Sequence, residues 1–283
     1  MSRAAEPSTS FGERLQRAVS EKGRLCVGID PHPSLLADWG LEDTPAGLEK
    51  FSQRVVSAVA DCAAILKPQV ALYERHGSAG MVVLETTLAA AADAGVLTLA
   101  DAKRGDIGST MAAYADAWLR DGSALAADAV TLSPFLGFGS LRPALDAARD
   151  SGRGVFVLAL TSNPEGASVQ HRGEPNSVAK EIVQAAAAEN DGEAHGSIGL
   201  VIGAASGEAL QRLSINLDRL NGPILAPGLG AQGATPEDLV STFGTNYDRV
   251  LASASRSVLA AGPEEKDLHT AAQRLSGKLG TGR

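Results

Sequence analysis

A lysine held among carboxylates can carry a proton to carbon, and this chain places such a set within six residues: Asp101-Ala102-Lys103-Arg104-Gly105-Asp106. The set follows the apolar run Val96-Leu97-Thr98-Leu99-Ala100. In a strand, side chains alternate between faces, so Asp101 and Lys103 share one face. Gly105 lets the chain turn, and Asp106 then lies in the loop beyond. An ammonium between two anions keeps its proton at neutral pH and can serve as a general acid. The plainer reading of the same residues is a surface salt bridge on a strand-to-helix loop.

Eight short apolar runs recur along the chain and must position these groups. They are 25–29, 64–67, 96–99, 129–132, 155–160, 199–202, 224–226 and 250–252. Most are continuously apolar, as in a parallel sheet covered on both faces. Segments with helical periodicity lie between them, clearest at 51–60, 80–94, 110–119, 139–149 and 177–189, with shorter ones at 207–212 and 236–242. Strands alternating with helices over 283 residues, with no composition break, predict one (β/α)8 TIM barrel, class α/β, across residues 1–283. A doubly wound open sheet is the alternative. The segment 11–22 reads as an extra N-terminal helix over the barrel floor, and residues 1–10 and 277–283 as flexible ends.

A parallel barrel opens all its strand C-termini on one face, where such folds keep their active sites. Here those ends are polar: Asp30-Pro31, Lys67-Pro68-Gln69, the Asp101–Asp106 run, Ser133-Pro134, Thr161-Ser162-Asn163, and the two loops after strands seven and eight. Asp30 reads as a turn residue or a sugar-hydroxyl ligand. Lys67, on the buried side of a strand, needs an anion. Gly228, Gly230 and Gly233 let backbone N–H groups approach an anion closely. Ser255-Arg256-Ser257 precedes a short predicted helix at 258–261, and Arg256 adds a bidentate charge. Together these loops predict a phosphate grip. The polar stretch 163–176 sits where a lid or a tolerated insertion would lie.

Composition narrows the partners. A net charge of −8 argues against nucleic acid, so an anionic substrate must meet a local positive site. Cys26 and Cys62 read as buried thiols of a reducing compartment rather than a disulfide framework. No apolar stretch reaches membrane-spanning length, and 1–10 lacks a signal-peptide core, which makes the cytoplasm the expectation. The five histidines are dispersed, with no metal-ligand spacing, no Cys/His cluster and no nucleophilic triad.

The element Asp101-x-Lys103-x-x-Asp106-Ile107 resembles the signature of the orotidine 5′-phosphate decarboxylase family. The segments 25–31, 227–233 and 255–257 match that family's other landmarks in order, so the resemblance spans about residues 25–259. It is nearest to the longer branch, with Asp-Ala-Lys-Arg-Gly-Asp-Ile in strand three and Thr-Ser-Asn-Pro after strand five. Gly108 stands where other branches carry proline.

The resemblance implies loss of CO₂ from C6 of orotidine 5′-phosphate and protonation of the resulting vinyl carbanion by Lys103 to give UMP, with neither cofactor nor metal. Asp101 would face the departing carboxylate and orient Lys103. Lys67 would join the charged array and touch the ribose, and Asp30 would bind a ribose hydroxyl. Asp106 and Thr110 would enter the neighbouring subunit's site in a cytoplasmic homodimer. Ser162 would bond the pyrimidine, Gln232 would bridge base and phosphate, and Gly230, Ser255 and Arg256 would hold the phosphate. The Asp-x-Lys-x-x-Asp element is shared with phosphosugar decarboxylases and formaldehyde-fixing relatives. A metal-dependent phosphosugar decarboxylase or aldolase on the same barrel is therefore the alternative, and a non-catalytic phosphonucleotide binder a third reading.

Overall fold

The computed structural model describes residues 9–230 and 233–280. Its eight strands are β1 (Leu25–Ile29), β2 (Ile65–Pro68), β3 (Leu97–Arg104), β4 (Ala129–Leu132), β5 (Gly154–Leu160), β6 (Ile198–Ile202), β7 (Ile224–Pro227) and β8 (Val250–Ala254). They pair in parallel, each with its neighbour in sequence, and β8 closes onto β1. The (β/α)8 barrel is therefore the observed fold, and the open doubly wound sheet is excluded.

Period two along each strand sorts the barrel interior into levels. Cys26, Ile65, Leu99, Ala129, Phe156, Val201, Leu225 and Leu251 form a lower apolar plug inside the barrel. Two residues further along, the same inward columns carry Lys67, Asp101, Thr131 and Ser253. Apolar side chains thus fill the floor, and the next level up presents the chemistry.

The helix Phe11–Lys22 seals the floor as expected. Phe11, Leu15 and Val19 recur at helical spacing and are buried in the interior cluster. The Phe11 ring meets Phe156 edge-on, with centroids 6.1 Å apart. Gly154 makes this approach possible, because a Cβ there would fall 2.2 Å from Phe11 Cδ1. Burying Phe11 contributes roughly 2–3 kcal/mol. The entry angle of the helix is fixed by a capping box in which Glu13 N–H donates to Ser10 Oγ and Ser10 N–H donates to the Glu13 carboxylate.

Several boundaries differ from the sequence reading. The helix expected from residue 51 begins at Pro45, because Thr44 caps it and proline suits its first turn. The chain after β8 forms a long helix, Glu265–Leu279, that sequence periodicity did not single out. That helix absorbs residues 277–279 of the expected loose C-terminal end, with Leu279 buried, just as Ser10 belongs to the cap of the first helix. No helix among the described residues is long and apolar enough to cross a membrane.

Candidate active site

The mouth of the barrel holds a cavity of about 310 Å³, within the size range of small-molecule sites. Asp30, Lys67, Asp101, Lys103, Ser255 and Arg256 all line it. Four of them form an alternating row of charge. Lys67 Nζ lies 4.0 Å from Asp30 Oδ1 and 3.3 Å from Asp101 Oδ2, and Lys103 Nζ lies 2.7 Å from Asp101 Oδ1.

The Asp101 carboxylate is the hub. Oδ1 accepts from Lys103 Nζ and, at 2.9 Å, from the Thr131 hydroxyl. Oδ2 accepts from Lys67 Nζ and, at 2.8 Å, from Gln69 Nε2. Burial works against its charge, but Lys67, Lys103 and the hydroxyl of Thr131 outweigh it and hold the carboxyl well below the usual carboxylate range. Burial likewise opposes the Lys67 ammonium, and the flanking Asp30 and Asp101 carboxylates more than reverse it, so its pKa lies above that of an ordinary lysine. Both groups stay charged at neutral pH although water barely reaches them. Beneath them, burial pushes the Cys26 thiol up to about 12, so it stays protonated there.

The geometry corrects one expectation. Lys103 pairs with Asp101 but not with Asp106 of its own chain, so the row runs Asp30, Lys67, Asp101, Lys103. Gly105 presses against the residue that follows β4, where a Cβ would lie 2.2 Å from the Ser133 carbonyl oxygen. The chain turns outward from there. Asp106 accepts the N–H of Ile107 at 2.7 Å, and Thr110 is exposed in the first turn of the helix Gly108–Leu119. Neither lines the cavity.

Asp30 lines the cavity, and its Oδ1 is buried without a hydrogen-bond partner among the described residues. On the other wall, Gly28 leaves room for Ser255, because a Cβ there would lie 2.0 Å from Ser255 Oγ. Gly230, at φ +73°, brings the loop after β7 against Ser257, 3.2 Å from where its Cβ would be. Loops seven and eight therefore meet beside Arg256, which begins the short helix Arg256–Leu259, two residues earlier than predicted. Gln232 lies outside the described residues.

After β5 it is Thr161, not Ser162, that lines the cavity, while Ser162 is exposed next to it. The long loop is folded on itself: the side chain of Gln170 accepts from Thr161 N–H at 2.8 Å and donates to Thr161 Oγ1 at 2.7 Å. Sequence reasoning missed Thr131 and left Gln69 as a mere strand end.

It also missed a grouping at the opposite end of the barrel, where Cys62 Sγ lies 3.9 Å from His269 Nδ1 and Asp61 Oδ1 lies 3.4 Å from the same atom. Contrary to the expectation of no Cys/His cluster, one histidine therefore does sit beside a cysteine. Nδ1 is, however, 3.0 Å from the Ala58 carbonyl oxygen, to which it donates, so it offers its neighbours no lone pair.

Comparison with known proteins agrees with this geometry. The model of the family described as orotidine 5′-phosphate decarboxylase / HUMPS matches residues 23–271. An orotidine 5′-phosphate decarboxylase of Streptomyces coelicolor is 56% identical over 274 residues, covering 96% of this chain and 97% of its own. One from Salinispora arenicola is 54% identical, covering 94% and 95%. Among solved structures, one from Streptomyces avermitilis, assigned to the same enzyme, superposes with a TM-score of 0.93 at 54% identity, covering 99% of this chain and 98% of its own. Leishmania donovani OMP decarboxylase superposes with a TM-score of 0.77 at 29% identity, covering 96% and 98%.

Proposed function

The chain belongs to the orotidine 5′-phosphate decarboxylase / HUMPS family, and from that premise we propose how its residues divide the work. It is a carboxy-lyase that converts orotidine 5′-phosphate to UMP and CO₂. In our reading the C6–carboxylate bond breaks with its electron pair left on C6. Lys103 Nζ then gives C6 a proton and recovers one from solvent. The single observation that carries this reading is the 2.7 Å pair of Lys103 with a carboxylate that also pairs with Lys67 inside the cavity. Such a row is charged before substrate arrives, so it stabilises the carbanion with little reorganisation.

Asp101 would face the substrate carboxylate, and Lys67 and Asp30, which both line the cavity, would take ribose hydroxyls. Arg256, Ser255 and the backbone around Gly230 would hold the phosphate, with Gln232 between phosphate and base and Ser162 toward the pyrimidine. No step calls for a metal or cofactor. The chelator test sets this against a metal-dependent phosphosugar reaction. Purified protein with excess chelator should release CO₂ and UMP from orotidine 5′-phosphate at its full rate. Arg256→Ala should lower kcat/KM on the nucleotide by about 10²-fold, the scale of losing a charged hydrogen-bond partner, and leave the slow reaction of the phosphate-free nucleoside nearly unchanged. Activity lost to chelator would favour the metal-dependent reading, and equal losses on both substrates would remove the phosphate role of Arg256.

We further propose a cytoplasmic homodimer in which Asp106 and Thr110 reach the neighbouring site. The exposed Ile107, Phe135 and Leu136, on the loops after β3 and β4, support an apolar contact beside them, since Phe135 alone is 78% exposed. The two free cysteines, Cys26 and Cys62, fit a reducing compartment. Mixing Asp106→Ala with Lys103→Ala protein should restore a measurable fraction of activity, because hybrid dimers carry one site with both residues intact. Failure to recover after demonstrated subunit exchange would place Asp106 outside the shared site.

A further inference from the structure

The ladder between β3 and β4 breaks at the catalytic lysine. Leu99 pairs with Ala129 and Ala100 with Val130, and the next pair is Arg104 with Leu132. β3 advances four positions from Ala100 to Arg104 while β4 advances two from Val130 to Leu132, so two residues of β3 are extra. Lys103 lies in this bulge at φ +48°, in the left-handed region that a non-glycine residue rarely adopts. Bulges next to active sites re-aim side chains, and strained backbone there persists only where the surroundings hold it.

Arg104 Nη1 donates to the Ala102 carbonyl in the bulge, but one side chain, Thr131, bonds both the Lys103 backbone and the Asp101 carboxylate. Lys103 N–H donates to Thr131 Oγ1 at 2.9 Å, and the same hydroxyl donates to Asp101 Oδ1 at 2.9 Å. Thr131 is fully buried on β4, on the inward column one level above Ala129. A single oxygen atom therefore indexes both halves of the Lys103–Asp101 pair to a neighbouring strand. The methyl group of threonine could be supplied by valine. The accept-and-donate pair could not, and without it a backbone N–H and a carboxylate lone pair lose their partner.

We propose that Thr131 is a positioning residue for the decarboxylation, its hydroxyl fixing the bulged Lys103 backbone and the Asp101 carboxylate so that Nζ is aimed at the reacting carbon. This inference rests on the reading of Lys103 as proton donor. Misplacement of a reacting group by about 1 Å costs on the order of 10²-fold in rate.

The test compares Thr131→Val, which keeps the shape and loses the hydroxyl, with Thr131→Ser, which keeps the hydroxyl and loses the methyl. Kinetics on orotidine 5′-phosphate would be run beside Lys103→Ala. Thr131→Val should lose about 10- to 10²-fold in kcat with KM within about threefold of wild type, whereas Thr131→Ser should keep kcat within about threefold. A merely structural role would move melting temperature in both variants without separating their kcat values. If Thr131→Val does not fold, Thr131→Ala serves as the hydroxyl-free variant, with the same expected contrast to serine. Wild-type kcat in the hydroxyl-free variant, or an equal loss in Thr131→Ser, overturns the proposal while an inactive Lys103→Ala leaves the proton-donor reading standing. A Lys103→Ala enzyme that turned over at the wild-type rate would overturn both.

Discussion

Replacing Lys103 by alanine should abolish decarboxylation, lowering kcat by at least about 10⁴-fold with the fold intact. Two losses act together. A positioned general acid contributes typically 10²- to 10⁴-fold, and alanine has no proton to give. The ammonium also stabilises the negative charge that develops on C6. At about 4 Å and an effective dielectric near 20 that attraction is worth roughly 4 kcal/mol, about 10³-fold in rate. The two are not independent, since one group supplies both, so the larger figure sets the floor rather than their product. Stability should change little, because the Lys103 side chain is 46% exposed and its pairing with Asp101 is the one that the substitution removes among the described residues. The measurement is single-turnover UMP formation beside a melting curve. An alanine variant that melts like wild type yet keeps more than about one hundredth of kcat would sink the assignment of Lys103 as the proton donor.

The legibility of this site in the sequence follows from which contacts are local. The strands announce themselves because most are apolar runs whose every residue is covered, as in 25–29 and 198–202. Lys67, Asp101 and Lys103 were legible because a charged residue at the end of such a run has no apolar explanation. Thr131 gave no such signal, since threonine is an ordinary strand former and only the cross-strand register of Leu99 with Ala129 brings it level with Asp101. That Lys103 does not pair with Asp106 of its own chain was hidden for a related reason. Six residues of sequence suggest that Asp106 flanks Lys103, but the approach of Gly105 to the Ser133 carbonyl is a contact with the loop after β4, distant in sequence, and the chain turns outward from there. The bulge at Lys103 was equally hidden, because period two assumes a regular strand.

Asp101→Asn should be nearly as damaging as loss of the lysine, and it should also destabilise the protein. The four donors around the carboxylate leave no place for an amide. If the asparagine oxygen takes the position that accepts from Lys103 and Thr131, its NH₂ group must face Lys67 Nζ and Gln69 Nε2, which are donors themselves. Lys67 is then buried with the more distant Asp30, at 4.0 Å, as its remaining anionic partner among the described residues. Breaking a buried ion pair from one side costs about 3 kcal/mol or more. The rate should fall about 10³-fold, because the ammonium is no longer held and the anion facing the substrate carboxylate is gone.

The stability loss carries a pH signature that separates it from a packing defect. The Asp101 carboxyl titrates below its usual range in the folded chain, so its stabilisation is fully present above the unfolded value of about 3.9. It fades as pH falls from there through the folded value. The gap in unfolding free energy between wild type and Asp101→Asn should therefore be constant from neutral pH down to about pH 5 and narrow progressively below about pH 4. A gap that stayed constant down to pH 2, measured by denaturant unfolding, would mean that the carboxylate charge is not what holds Lys67 and Lys103 in place.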